Sequence, residues 1–115
     1  MSDDCIFCKI IAGTIPSQKL YQDDLATAFR DIHPVAPTHV LIVPNRHIAS
    51  VNEVSQEDES TLGHLLNVAR ILAERENIKD SGYRLIINTG AHAGQVVFHL
   101  HLHLIGGHRM RHPMG

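Results

Sequence analysis

The sequence predicts an α+β domain: an antiparallel sheet of about five strands carrying one long helix, with a short helix at the N-terminus. Three observations lead there. Residues 55–76 form the single long stretch with helical period. The strand-like stretches 20–32, 39–44, 83–90 and 94–107 are not joined by crossover helices, which argues against a doubly wound parallel sheet. The length, 115 residues, suits one compact domain, read as residues 1–115 with a short tail at 108–115.

Each element has its own signal. Residues 4–12 read as a short helix with Ile6, Phe7, Ile10 and Ile11 on one face and Gly13 as the stop. LYQDDLATAFRDI (20–32) reads as a tight hairpin with Asp23 and Asp24 at the turn. HVLIVP (39–44) is a buried strand ended by Pro44. Ser55 is an N-cap residue type with Asp58 three positions on. Leu62, Leu65, Leu66, Ala69, Leu72 and Ala73 then recur with helical period to about residue 76. YRLIINTG (83–90) is a strand, and GQVVFHLHLHLIGG (94–107) holds one or two more. HRMRHPMG (108–115) is irregular.

The apolar and charged fractions, 43% and 19%, are those of an ordinary globular domain, and a net charge of −2 gives no basic surface for nucleic acid or membrane. MSDDCIFCKII opens acidic and its apolar run is broken by Lys9, so a secretory signal is not expected. No apolar run approaches the ~20 residues of a membrane span. Two cysteines, Cys5 and Cys8, are not a secreted disulfide framework, and a reducing cytoplasm is the expected compartment. The outlier is histidine, ten copies of it.

Three of those histidines keep a strict beat in 99-HLHLHLIGG-107. On a strand His99, His101 and His103 share one face, roughly 6–7 Å apart, and Leu100, Leu102 and Leu104 share the other. The leucines fix the register, because a slip of one residue would bury three imidazoles. The row has three readings: a solvated polar face, a three-histidine metal site, or nucleophilic catalysis in which one imidazole attacks. Cys5-Ile6-Phe7-Cys8 is likewise open by itself: a redox pair, half of a zinc site, or two buried thiols. The strand that precedes a thioredoxin-like redox pair is missing.

HLHLHLI has the form His-φ-His-φ-His-φ-φ, with φ apolar, and the chain resembles the histidine triad (HIT) superfamily and its Hint branch of nucleotide phosphoramidases. The likeness extends through CIFCKIIAGTIPS, FRDIHPVAPTHVLIVPNRHI, INTGAHAGQ and the tail GG-x-x-M-x-x-P-x-G. It implies a HIT fold and a hydrolase that cleaves nucleoside 5′-phosphoramidates or related nucleotidyl conjugates, AMP or GMP conjugates among them. His101 would be the nucleophile that becomes nucleotidylated. His103 would contact the phosphoryl oxygens or the leaving group, and His39 would support the triad from an adjacent strand. The resemblance makes Ile6, Phe7, Ile10, Phe29 and Ile32 a slot for the base and Asp31 the acceptor of the ribose hydroxyls. By the same resemblance Asn88 would lie near phosphate and ribose, and Gly94, Gln95 and Val96 would offer backbone N–H groups to the phosphate. It also completes Cys5 and Cys8 with His47 and His99 as a structural zinc site, with no metal needed for catalysis. A homodimer is implied as well, with the sheet continued across two protomers and each tail approaching the partner's site.

Two residues depart from the family pattern. Val96 stands where animal Hint proteins have a serine that assists the leaving group, and His33 replaces a small polar residue beside Asp31. Two rival functions remain. One is a nucleotide-binding regulatory or partner protein with little turnover. The other is a zinc-dependent hydrolase built on the three triad histidines.

Overall fold

The computed structural model describes residues 4–113; positions 114 and 115, the end of the expected tail, lie outside the described residues. Helix α1 (Ile6–Ala12) leads to the hairpin β1 (Lys19–Gln22) and β2 (Ala26–Arg30), then to β3 (Thr38–Pro44). Two 3-10 turns precede α2 (Glu59–Arg75), which is followed by β4 (Tyr83–Ile86) and β5 (Leu102–Gly106). The sheet order is β1-β2-β3-β5-β4 and all its pairings are antiparallel. β5, the last strand in sequence, is therefore inserted between β3 and β4, beside the strand that carries His39.

Two cores flank the sheet. On one face Leu65, Val68, Ala69, Leu72 and Ala73 of α2 bury against Ala26, Ala28, Val40, Ile42, Leu100, Leu102 and Leu104. On the other, Cys5, Phe7 and Ile10 bury against Phe29, Leu41 and Val43. β3 is covered on both sides, which is why it reads as a continuous apolar run. The register pairs Val40 with Leu104 and Leu41 with His103, so the leucines of 100–104 enter the α2 core while the histidines face the α1 side.

The structure adjusts several boundaries. Ser55 caps the 3-10 turn Gln56–Asp58 rather than α2 itself, and the Asp58 carboxylate accepts from the Ser55 N–H at 2.9 Å. Leu66 is 53% exposed although it keeps the helical period. Ile6 is also exposed, leaving Phe7 and Ile10 as the buried face of α1, and Gly13 ends that helix in the left-handed region at φ 82°. β4 stops at Ile86.

The main difference concerns the histidine row. β5 begins at Leu102, so only His103 lies in the ladder; His99 and His101 precede it. The reason is Pro44. Continuing the register from Ile42–Leu102 would set Pro44 opposite Leu100, and proline has no N–H to donate. The Leu100 N–H turns instead to the Ile48 carbonyl at 2.7 Å.

The fully buried Leu104 and the exposed Leu66 provide a test of this packing. Leu104→Ala is expected to cost about 2–5 kcal/mol in denaturant unfolding, and Leu66→Ala about 0.5 kcal/mol or less. Equal losses at the two positions would contradict the assignment of the core.

Candidate active site and metal-ligand cluster

A cavity of about 510 Å³ opens between α1, β2, the loop before β3 and the triad segment. Its walls include His39, His101 and His103, together with Ile6, Phe7, Ile10, Phe29, Asp31, Ile32, Asn88, Gly94 and Val96. The residues expected to form one site are thus brought together from both ends of the chain. Gln95 is the exception: it does not line the cavity, and its buried carboxamide accepts from the Gly90 N–H and donates to the Ala49 and Val97 carbonyls. It fastens the loop. The Gly94 and Gln95 N–H groups are also spent inside that loop, on the Ala91 and Gly90 carbonyls. Among the described residues no partner takes the Val96 N–H, which leaves it as the donor available to a ligand.

The hydrogen bonds assign the imidazole tautomers, because a carbonyl can only accept and a backbone N–H can only donate. His101 Nδ1–H donates to the His99 carbonyl at 2.7 Å, so in the neutral ring the lone pair is on Nε2. His39 Nδ1 accepts from the Val35 N–H at 3.2 Å. Its Nε2–H therefore donates to His103 Nδ1 at 3.0 Å. That leaves His103 with a proton on Nε2 and no described group to receive it.

Burial favours the neutral form of His103 and His39. It pushes His103 down to about 4, aided by its imidazole neighbours His101 and His39 and opposed by Asp31. Burial lowers His39 too, again against the pull of Asp31. Asp31 accepts from the His33 N–H at 2.8 Å through Oδ1 and presents Oδ2 3.4 Å from His39 Nε2. Phe7 stands edge-on to His101, His99 and Phe29, with centroid separations of 5.1, 5.9 and 5.3 Å.

A second cluster lies beside the cavity. The ligand atoms of Cys5, Cys8, His47 and His99 lie within 4.8 Å of one another, a Cys/His set that could bind a metal ion. Cys5 Sγ is 3.2 Å from His99 Nδ1, Cys8 Sγ is 3.4 and 3.6 Å from His47 and His99 Nδ1, and the two Nδ1 atoms are 3.2 Å apart. His99 Nε2–H donates to the Pro44 carbonyl at 2.8 Å, which turns the Nδ1 lone pair into the cluster. Burial, with Cys5 alongside, raises the metal-free Cys8 thiol to about 11. The three triad histidines do not form one ligand group among the described residues; His99 belongs to the cysteines and His103 to His39 and Asp31.

The sequence did not foretell Ile15, Ser17 and Val35 as cavity walls. Ile15 and Ser17 belong to the irregular segment between α1 and β1, where no period announces which side chains turn inward. The Pro44 carbonyl, which sets the His99 tautomer, is a backbone partner and has no residue-type signature.

Residues 12–110 match the HIT domain family. The chain is 57% identical over 107 residues to the purine nucleoside phosphoramidase of Escherichia coli K12, covering 93% of this chain and 90% of that one. Its structure is similar to a HIT family hydrolase from Legionella pneumophila Philadelphia 1, with a TM-score of 0.94, 46% identity, and 97% and 100% of the two chains covered. It is also similar to a histidine triad protein from Clostridium difficile, with a TM-score of 0.95, 38% identity and 99% of both chains covered.

The buried histidines predict a pH dependence. The unfolded chain takes up protons at histidine near pH 6.5, whereas the folded His103 resists protonation down to about 4. Stability is therefore complete above about pH 6.5 and is lost as pH falls toward 4. With divalent metal in constant excess, the melting temperature is expected to drop across that window, and His103→Asn is expected to make the drop shallower. An unchanged slope in the variant would contradict the half-buried, neutral assignment.

Proposed function

This chain belongs to the HIT domain family and is a HIT-family hydrolase, and we propose that it cleaves purine nucleoside 5′-phosphoramidates through a nucleotidyl-histidine at His101. The observation that carries this reading is the 2.7 Å bond from His101 Nδ1–H to the His99 carbonyl, which reserves Nε2 as the nucleophile in a cavity lined by an apolar slot and Asp31.

In this reading the purine enters between Ile6, Phe7, Ile10, Phe29 and Ile32, and the ribose hydroxyls meet Asp31 and Asn88. His101 Nε2 attacks phosphorus and the P–N bond breaks. The nitrogen keeps the electron pair, takes up a proton from solvent and departs as the amine. Charge on the phosphoryl oxygens is met by His103 Nε2–H and the Val96 N–H, donors already in place before reaction. Nδ1–H stays on the His99 carbonyl as the ring becomes cationic. Water then attacks phosphorus; the new O–P bond forms as the N–P pair returns to His101 Nε2, a proton passes to solvent, and the nucleoside monophosphate is released. His39 holds His103 in the tautomer that donates.

We infer that the Cys5, Cys8, His47 and His99 cluster holds zinc. Ordinary Zn–S and Zn–N bond lengths put tetrahedral S and N donors about 3.5 Å apart and two N donors about 3.3 Å apart. The S–N spacings of 3.2, 3.4 and 3.6 Å and the N–N spacing of 3.2 Å lie within about 0.3 Å of that set. Zinc there is structural and joins α1 to the triad segment, and four protein ligands leave no position for a reacting water. We further infer a single-domain cytoplasmic enzyme that dimerises, with each tail approaching the partner's site. The unpaired edge of β4 and its exposed Tyr83 and Leu85 support sheet continuation between two copies. No helix among the described residues is long and apolar enough to cross a membrane.

His101→Asn is expected to lower phosphoramidate turnover by several powers of ten while nucleoside monophosphate binding stays within a few-fold. Near-normal turnover would overturn the covalent mechanism, and tight nucleotide binding without turnover in the parent would favour a binding-protein role instead. Elemental analysis of the purified protein is expected to give one zinc per chain. A chelator should lower the melting temperature before it lowers the rate at a permissive temperature. Absence of metal, or a rate that follows zinc occupancy in an intact fold, would refute the structural assignment.

A further inference from the structure

Arg30 belongs to the wall of the nucleotide cavity, yet both terminal nitrogens of its guanidinium are committed elsewhere. Nη1 and Nη2 donate to Oε1 and Oε2 of Glu76, each at 2.9 Å, as a bidentate pair. Glu76 caps the C-terminus of α2, on the face of the sheet opposite the cavity. Its N–H donates to the Leu72 carbonyl at 2.8 Å, and Asn77, in the left-handed region at φ 61°, then turns the chain away. Glu76 Oε1 also accepts from the buried Thr38 hydroxyl at 3.3 Å. One carboxylate thus joins the last residue of β2 to the first residue of β3. The Arg30 guanidinium holds the Glu76 carboxyl below its ordinary range, so the half-buried pair is charged at neutral pH.

The residues that follow these two are the ones that line the cavity. Asp31 comes directly after Arg30 and His39 directly after Thr38, and neighbours along an extended chain point to opposite sides. The Asp31 N–H meets the His39 carbonyl at 3.0 Å, the last such bond before the loop. Residues 32–35 are exposed, so side-chain packing gives Asp31 little hold from that direction. We propose that Glu76 is a positioning residue for ribose recognition: through Arg30 and Thr38 it fixes the Asp31 carboxylate, and with it the preference for a nucleotide that carries both ribose hydroxyls. The proposal rests on the reading that assigns those hydroxyls to Asp31. A carboxylate accepts from two adjacent hydroxyls only over a narrow range of placements, and a shift of about 1 Å forfeits most of the gain. Glu76 itself touches no substrate, since α2 lies across the sheet.

The test is the ratio of kcat/KM for adenosine 5′-phosphoramidate to that for its 2′,3′-dideoxy analogue. The parent ratio is expected to be about tenfold or more, the worth of one hydrogen bond to a charged acceptor, and Asp31→Asn should bring it close to one. Glu76→Gln should lower the ratio by about threefold or more while kcat/KM for the dideoxy analogue stays within about twofold, the mark of an effect that acts through the ribose hydroxyls. Arg30→Lys, which keeps the charge and loses the fork, should lower it likewise. In an Asp31→Asn background Glu76→Gln should change nothing further. An unchanged ratio in Glu76→Gln or in Arg30→Lys would overturn the positioning role, as would a loss shared equally by the two substrates. A parent ratio near one, or a ratio unmoved by Asp31→Asn, would overturn the ribose assignment of Asp31, and the positioning role with it.

Discussion

Burial of Leu100, Leu102 and Leu104 beneath α2 is the constraint on which the site depends. These three side chains are essentially inaccessible and lie in one continuous core with Val40, Ile42, Leu65 and Leu72. Strand alternation then leaves the intervening histidines no choice of face. A one-residue slip would put imidazoles under α2 and leucines in the cavity, at a cost far above the few kcal/mol by which a domain of this size is stable. The packing of a helix thus holds the triad histidines on the opposite side of the sheet.

The same segment joins two kinds of chemistry. His99 uses every polar group it offers to the site: Nδ1 faces the cysteines, Nε2–H is held by Pro44, and its carbonyl holds His101. Phe7, between the two cysteines in sequence, packs on the rings of both His99 and His101. The Cys/His cluster and the proposed nucleophile are therefore neighbours by construction. On the other side His39, paired across the sheet through β3, sets the proton on His103. His101 and His39 are each oriented by a backbone group that can play a single hydrogen-bonding role, and His39 passes that constraint on to His103.

Much of this was legible in the sequence. The period of Leu65, Ala69, Leu72 and Ala73 marked α2, the unbroken apolar run marked β3, and the leucine–histidine alternation marked both faces of the triad segment. Motif resemblance assembled residues as distant as Cys5 and His99, which no local pattern relates. What stayed hidden were backbone effects. Pro44 ends the ladder early, so His99 and His101 are held by the Ile48 and Pro44 carbonyls and by each other rather than by strand pairing. Gln95, grouped with the phosphate donors by motif, serves the loop, because its side chain fits three backbone groups that the sequence does not display. Leu66 kept the helical period and still faces solvent, since periodicity places a residue on a stripe but does not set how wide a stripe the sheet covers.

The account turns on which nitrogen of each triad ring carries the proton. Long-range ¹H–¹⁵N correlation spectra of the ¹⁵N-labelled protein near pH 7 observe this directly. The predicted result is a proton on Nδ1 of His101, held by the His99 carbonyl, and neutral His103 protonated on Nε2. His101 protonated on Nε2, or His103 protonated on Nδ1, would remove the nucleophile's lone pair or the phosphoryl donor and contradict the mechanism.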